Sequence, residues 1–220
     1  MILVVGSSHD SVATDLVALW PQAALCSAED LVSPGWVWRQ PAAKTWIVDR
    51  KQISDDHVTG VFVRRASVYA EELMSTHPDD RAYLASEIHA FLVFVLASTS
   101  ARVVNPINEG AFGEAALRPY RWTQLALQLG ISLRPLRVTS ESRRPIRYRT
   151  FTVEVVGDEV FGDAPASVRD SARCLAHALE IGWGVFVFDS RKRLVTVTTA
   201  RRPSDTAAAA LGRLLEAKCT

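Results

Sequence analysis

The sequence predicts an α/β protein: a small, mostly parallel open sheet with helices between its strands, followed by a smaller α+β lobe. Three observations carry that prediction. Short β-branched runs stop abruptly at Val5-Gly6, at Val63-Arg64-Arg65 and at Val104-Asn105-Pro106. Segments of helical period separate these runs, and strands alternating with helices pair in parallel. Beyond Ser140 the order changes to hairpin, helix, hairpin, helix, which is the grammar of antiparallel strands. The division expected is therefore a first domain over 1–139 and a second over 140–220.

Taken in order, Ile2 to Val5 form the first strand, and a helix follows through Val12, Leu16 and Leu19, with Ser8 or Asp10 as its cap. Gly6-Ser7-Ser8 reads either as a plain strand-to-helix turn or as a phosphate cradle at a helix N-terminus. Ala23 to Cys26 is a second strand. Gly35 to Gln40 and Thr45 to Asp49 are two more, divided by a turn at Pro41. Trp36, Trp38 and Trp46 form an aromatic face there, for packing or for stacking a base or peptide.

Gly60 to Val63 is a parallel-type strand ending in Arg64 and Arg65. Open α/β sheets bind ligands at the C-terminal ends of their strands, and arginine grips carboxylate or phosphate with a two-pronged fork. Strand alternation sends one arginine to the crevice and the other to solvent or to a carboxylate such as Glu87; structural salt bridging is the alternative. Asp79 to Ser98 is a long helix whose apolar positions are Tyr83, Leu84, Ile88, Phe91, Leu92, Val95 and Leu96, with His89 near its polar edge. A strand at Val103, a helix ending at Gly130 and an extended Leu133–Val138 segment then make one more β-α-β unit, whose last strand joins the parallel sheet.

In the second lobe, Arg147 to Val156 alternates as a strand, turns at Gly157-Asp158 and returns through Phe161. A helix spans Pro165 to Glu180. Val185–Phe188 and Leu194–Thr198 pair around Ser190-Arg191-Lys192, and Asp205 to Lys218 closes the chain as a helix.

Composition bounds the function. A chain of 220 residues, 48% hydrophobic and 22% charged, folds and buries a sizeable core. Its net charge of +1 supplies no attraction to nucleic acid or to an anionic membrane. The clusters Arg143, Arg144, Arg147, Arg149 and Arg191, Lys192, Arg193 read as solvated loops. The apolar run Ala90 to Ala97 is too short to span a bilayer. MILVVGSSHD lacks a basic n-region and a cleavage site, so it reads as the first strand of a cytoplasmic protein. Cys26, Cys174 and Cys219 are too scattered for a disulfide framework or a zinc site. There is no nucleophile elbow and no P-loop, and the adjacent Ser7, Ser8, His9 and Asp10 cannot converge as a triad.

Asn105-Pro106, Arg118-Pro119, Gln124, Ala126, Gly130, Pro135 and Thr139 follow one another in an order that resembles a known junction. In ATP-grasp ligases, the pre-ATP-grasp domain there passes into the nucleotide-binding part. The double arginine after Val61-Phe62-Val63 is similar to the branch that modifies ribosomally made peptides, the microviridin-type ligases. Arg149, the run Val155-Val156-Gly157-Asp158-Glu159-Val160-Phe161, and Arg201-Arg202-Pro203-Ser204 resemble the end of the same fold. The resemblance covers nearly the whole chain and implies a Rossmann-like pre-ATP-grasp domain joined to a truncated ATP-grasp lobe, in a protein of bacterial type.

Two departures bear on chemistry. Active relatives place a whole subdomain between the segments ending at Thr139 and starting at Arg149, where this chain has only SESRRPIRY; no lysine occurs from Gln52 to Arg191 to hold phosphate. Where the family sets magnesium-binding Glu and Asn, this chain has Thr196 and Thr198, with Val187 or Phe186 on the partner strand. Hydroxyls and aliphatics are poor ligands for magnesium beside a triphosphate. Asp189 remains, as a turn-forming residue. The expectation is a degenerate, non-catalytic protein without cofactor that binds a peptide or protein partner or itself as a homodimer, possibly beside an intact ligase. The alternative is an ATP-dependent carboxylate-amine ligase whose Mg-ATP site is altered or completed by another chain. A ligand would face Arg64, Arg65, Asn105, Arg118, Arg121 and Arg149.

Overall fold

A computed structural model describes residues 1–39, 44–107, 110–135 and 149–217. Two compact units emerge, Met1–Ala116 with Ala208–Thr220, and Leu117–Ala207. The expected boundary at 139–140 and the turn at Pro41 lie outside the described residues.

The first unit is built from β1 (Ile2–Val5), α1 (Ser11–Leu19), β2 (Ala23–Cys26), α2 (Ala28–Val32), β3 (Val37–Trp38), β4 (Lys44–Val48), β5 (Lys51–Ser54), β6 (Gly60–Val63), α3 (Arg81–Ser98) and β7 (Arg102–Val104). A parallel sheet of order β2-β1-β6-β7 sets Val4 between Leu25 and Phe62. Every residue of β1 and β6 is buried. Covered on both faces, these strands have no polar side, hence their unbroken apolar runs.

A second, antiparallel sheet, β3-β4-β5, carries the tryptophans. Trp46 is fully buried, with Trp36 and Trp38 at 5.6 and 5.4 Å, and Trp36 in turn meets Phe91 of α3 at 5.3 Å. Their role is packing. The indole of Trp46 donates to Asp55 at 2.7 Å. α3 buries Ala85, Ile88, Leu92, Val95 and Leu96, but Tyr83, expected on its inner face, is 71% exposed, as is half of Phe94. Pro78–Ser98 is long and apolar enough for a membrane span by length and composition alone, so hydrophobic period could not single out the inner face.

The second unit holds α4 (Pro119–Gln128), β8 (Thr150–Val156), β9 (Glu159–Phe161), α5 (Ala166–Ala178), β10 (Trp183–Asp189) and β11 (Leu194–Thr198) in an antiparallel sheet of order β11-β10-β8-β9. Val153, Val155, Phe186, Phe188, Val168 and Leu175 form its core with α5. Leu133 corrects one expectation. It does not extend the parallel sheet but bridges in parallel to Leu194, with Arg134 N donating to Leu194 O and Leu194 N to Ser132 O, both at 2.8 Å. The open edge of β11 offers backbone groups that need partners, and Ile131 and Leu133 add apolar contact.

α6 (Asp205–Glu216) starts in the second unit and, from Ala208, belongs to the first. Trp20 donates its indole hydrogen to Ala208 O at 3.0 Å. A Cβ at Gly60 would stand 2.5 Å from Leu215 O, so this strand start tolerates only glycine under the helix.

Candidate functional site at the C-terminal end of the parallel sheet

The C-terminal ends of β1, β2, β6 and β7 run into segments that carry Asp10, Ser27, Arg64, Arg65 and Asn105. β1 runs into Gly6, where a Cβ would press on Ala13 at 3.1 Å, and α1 follows after Asp10. The Asp10 carboxylate caps α1 by accepting from Val12 N at 3.0 Å and accepts from Arg64 Nε at 3.1 Å. A helix N-terminus that already holds a carboxylate repels phosphate, which favours the plain turn at Gly6-Ser7-Ser8. β2 ends at Cys26, after which Ser27 and Asp30 cap α2 reciprocally. Burial, reinforced by the nearby Asp30, pushes the Cys26 thiol far up against the opposing pull of Arg65; it is inert.

Both arginines of the double-arginine strand are already paired. Arg64, its side chain 8% exposed, binds Asp10. Arg65 donates through Nε to Ser67 O at 3.0 Å and through Nη2 to Glu72, while its Nη1 is buried without a partner. Both side chains are buried against carboxylates, which is the structural salt bridging given as the alternative, and the partner of Arg65 is Glu72 and not Glu87, which lies exposed on α3. Asn105 follows β7 at the same end of the sheet, buried, after a cis peptide bond. Of the other expected residues, Arg118 precedes α4 on an exposed position, Arg121 on α4 stands 4.0 Å from Glu180, and Arg149 is exposed just ahead of β8; all three belong to the second unit. Arg64, Arg65 and Asn105 thus lie at one end of the parallel sheet, and Arg118, Arg121 and Arg149 belong to the other unit.

Beside this edge opens a cleft of about 1070 Å³, walled by Ser7–His9, α2, Asp49–Arg50 and Glu71–Ser75. Its lining sets five carboxylates, Glu29, Asp30, Asp49, Glu71 and Glu72, against the one guanidinium of Arg50. Sequence reasoning did not find this acidic lining. Its members come from α2, the turn at Asp49 and the turn at Glu71-Glu72, each ordinary on its own, and only the fold assembles them.

In the second unit, the positions compared with a magnesium site are now placed. Thr196 pairs with Val187 and Thr198 with Val185 across β10 and β11, and both valines are buried. Asp189 is saturated: Arg191 N, Arg193 N and both Nε and Nη2 of Arg193 donate to it at 2.7 to 3.0 Å. Burial alone would raise its pKa, but these donors, the Arg193 side chain first, hold it below the usual range. A carboxylate so occupied between hydroxyls and aliphatics does not fit a magnesium-nucleotide.

No protein-family model matches the sequence, and no curated protein matches it. Solved structures do. The macrocyclase MdnC from Microcystis aeruginosa, bound with its precursor peptide MdnA, superposes with a TM-score of 0.73 at 11% identity, over 97% of this chain and 98% of its own. A RiPP-associated ATP-grasp ligase from Chryseobacterium gregarium, in complex with ADP and a leader and core peptide, gives 0.68 at 9% identity, over 97% and 96%. The macrocyclase MdnB from Microcystis aeruginosa gives 0.68 at 14%, over 98% of each chain. At such identities the likeness is one of fold. Over nearly its whole length, this chain has the fold of the RiPP-associated ATP-grasp ligases.

Proposed function

We propose that this protein is a degenerate ATP-grasp protein that binds a peptide partner without catalysing ligation, in the bacterial cytoplasm and beside an intact ligase. The observation that carries the reading is the pair Thr196 and Thr198 on β11, facing buried Val187 and Val185, at the positions where the family resemblance implies magnesium-binding Glu and Asn. Of the ligases that share the fold, one is bound with a precursor peptide and another is in complex with a leader and core peptide, which is why a peptide is the partner assigned. The contact region is the C-terminal edge of the parallel sheet, around Arg64, Arg65 and Asn105. On the second unit, taken by itself, Arg118, Arg121 and Arg149 are the residues assigned to ligand contact.

Thermal unfolding with and without millimolar Mg-ATP tests it, because a ligand that binds only the folded chain raises the midpoint. The expected result is no shift with Mg-ATP and a rise with a precursor-type peptide. A magnesium-dependent rise with ATP would move the reading to a carboxylate-amine ligase with an altered or partner-completed site. That second reading draws its support from the superposition on working ligases over 97% of this chain. Unchanged peptide binding in an Arg64→Ala/Arg118→Ala variant would remove these arginines from the site.

A further inference from the structure

The net charge of +1 conceals a division. Leu117–Ala207 carries fifteen basic residues against nine acidic ones, and the rest of the chain carries ten against fifteen. Each unit has its own field, of opposite sign to the other, and neutrality of the whole chain describes neither. In the second unit, separate segments bring cations to one end of the antiparallel sheet. Thr150, the first residue of β8, pairs with Asp189, the last of β10, and Leu194 opens β11 opposite Phe188. This register sets exposed Arg149 beside the turn that carries exposed Arg191 and Lys192. Arg134 arrives on the segment whose amide donates to Leu194 O. The turn keeps its acid inside and its cations outside. Asp189 is buried and occupied by Arg191 N, Arg193 N and the Arg193 side chain, while Lys192, at a φ of 61°, reaches Ser167 Oγ near the start of α5 at 3.2 Å. The guanidinium groups of Arg149 and Arg191 have no partner among the described residues. Exposed Asp163, between β9 and α5, offsets one of the four cations.

We propose that this end of the antiparallel sheet binds the phosphate backbone of a nucleic acid. The proposal stands independently of the peptide-binding reading, with which it shares only Arg149. Guanidinium forks match phosphate, and a backbone contact asks for nothing else. A protein partner would need apolar or aromatic anchors at the centre of the contact, and neither Arg149–Thr152 nor Asp189–Leu194 has an exposed large apolar side chain. Adjacent strands stand about 4.8 Å apart, so cations delivered from β8, the β10–β11 turn and the segment beside β11 spread over roughly 14 Å. One strand of a duplex sets a phosphate about every 3.4 Å along its axis, and that span meets about four of them. The hydrogen bonds to Asp189 hold the turn in shape beforehand, which lowers the cost of ordering Arg191 and Lys192 on contact.

Fluorescence anisotropy of the full chain with a labelled DNA duplex tests the proposal. Micromolar binding is expected at about 50 mM salt, weakening about fortyfold by about 200 mM, as three neutralised phosphates give. Arg149→Glu/Arg191→Glu should weaken binding at least about tenfold, with melting temperature and circular dichroism spectrum unchanged. Arg173→Glu/Arg201→Glu, the same change of charge on α5 and beyond β11, should weaken it less than about threefold. Absence of binding at low salt overturns the proposal, as does binding indifferent to salt or weakened equally by the two variants. Poly-glutamate bound as tightly as the duplex would overturn it by giving the site to an acidic polypeptide. Flotation with phosphatidylserine vesicles in place of duplex binding would overturn it by giving the site to a membrane.

Discussion

Asp55 in the first unit and Asp189 in the second are equally buried, each 3% exposed, yet their partners come from opposite kinds of neighbour. Asp55 receives neutral donors from distant parts of the chain: the Trp46 indole at 2.7 Å, the Thr99 hydroxyl at 2.6 Å, and the Ser100 amide and hydroxyl at 2.9 Å. Asp189 receives its donors from its own turn, a guanidinium among them. The first carboxylate ties β4 to the end of α3, so its loss disturbs a whole unit. The second fastens one hairpin, and its loss is local. A buried acid is therefore no sign of chemistry in itself: both are held by the fold, and neither has a lone pair to spare for a metal.

The largest effect that would sharpen this contrast is expected from Trp46→Ala, which empties the space between Trp36 and Trp38 and strips Asp55 of a donor. A loss of about 3–5 kcal/mol in denaturant unfolding is expected. Asp55→Ala, leaving an indole and two hydroxyls without their acceptor, should cost about 3 kcal/mol. Asp189→Ala should cost less, about 1–2 kcal/mol, because the Arg193 side chain is 30% exposed and can turn to water. Equal losses at the two aspartates would break the distinction between distant and local anchoring.

Acid offers a finer test. Burial raises the Asp55 pKa, but hydrogen bonds from Ser100, Thr99 and Trp46 outweigh it, and the net direction is down, as for Asp189. A depressed carboxylate lends stability that is fully present above its unfolded pKa of about 3.9 and is lost as pH falls through the folded value. Unfolding free energy should thus fall below about pH 4, and Asp55→Asn should flatten part of that fall. A rise in stability on acidification would contradict the assigned directions. Smallest of all is Arg121→Ala, whose partner Glu180 is largely exposed at 4.0 Å; a change within about 0.5 kcal/mol is expected.

Much of the fold could be read from the sequence because buried parallel strands leave unbroken β-branched runs, as at Ile2–Val5 and Gly60–Val63, and because the Gly157-Asp158 turn announces its hairpin. β5 was missed for a physical reason. The turn before it is made by Asp49 and Arg50, both at positive φ, 50° and 58°, without the glycine that usually marks such a hairpin. Leu133 was given to the wrong sheet because a short extended segment does not say which edge it will join. At the candidate site the arginines were legible but their partners were not. Glu72 and Asp10 reach Arg65 and Arg64 from other segments, and so does the acid that lines the cleft.

The glycine at position 60 has a consequence for the order in which this protein is made. Its strand lies under Leu215, and Trp20 bonds to Ala208, so two surfaces laid down early on the ribosome stay bare until the far end of the chain emerges. Domains that fold during synthesis normally finish from the N-terminus onward. Here Leu117–Ala207 is complete before Ala208–Thr220 arrives to close the first unit.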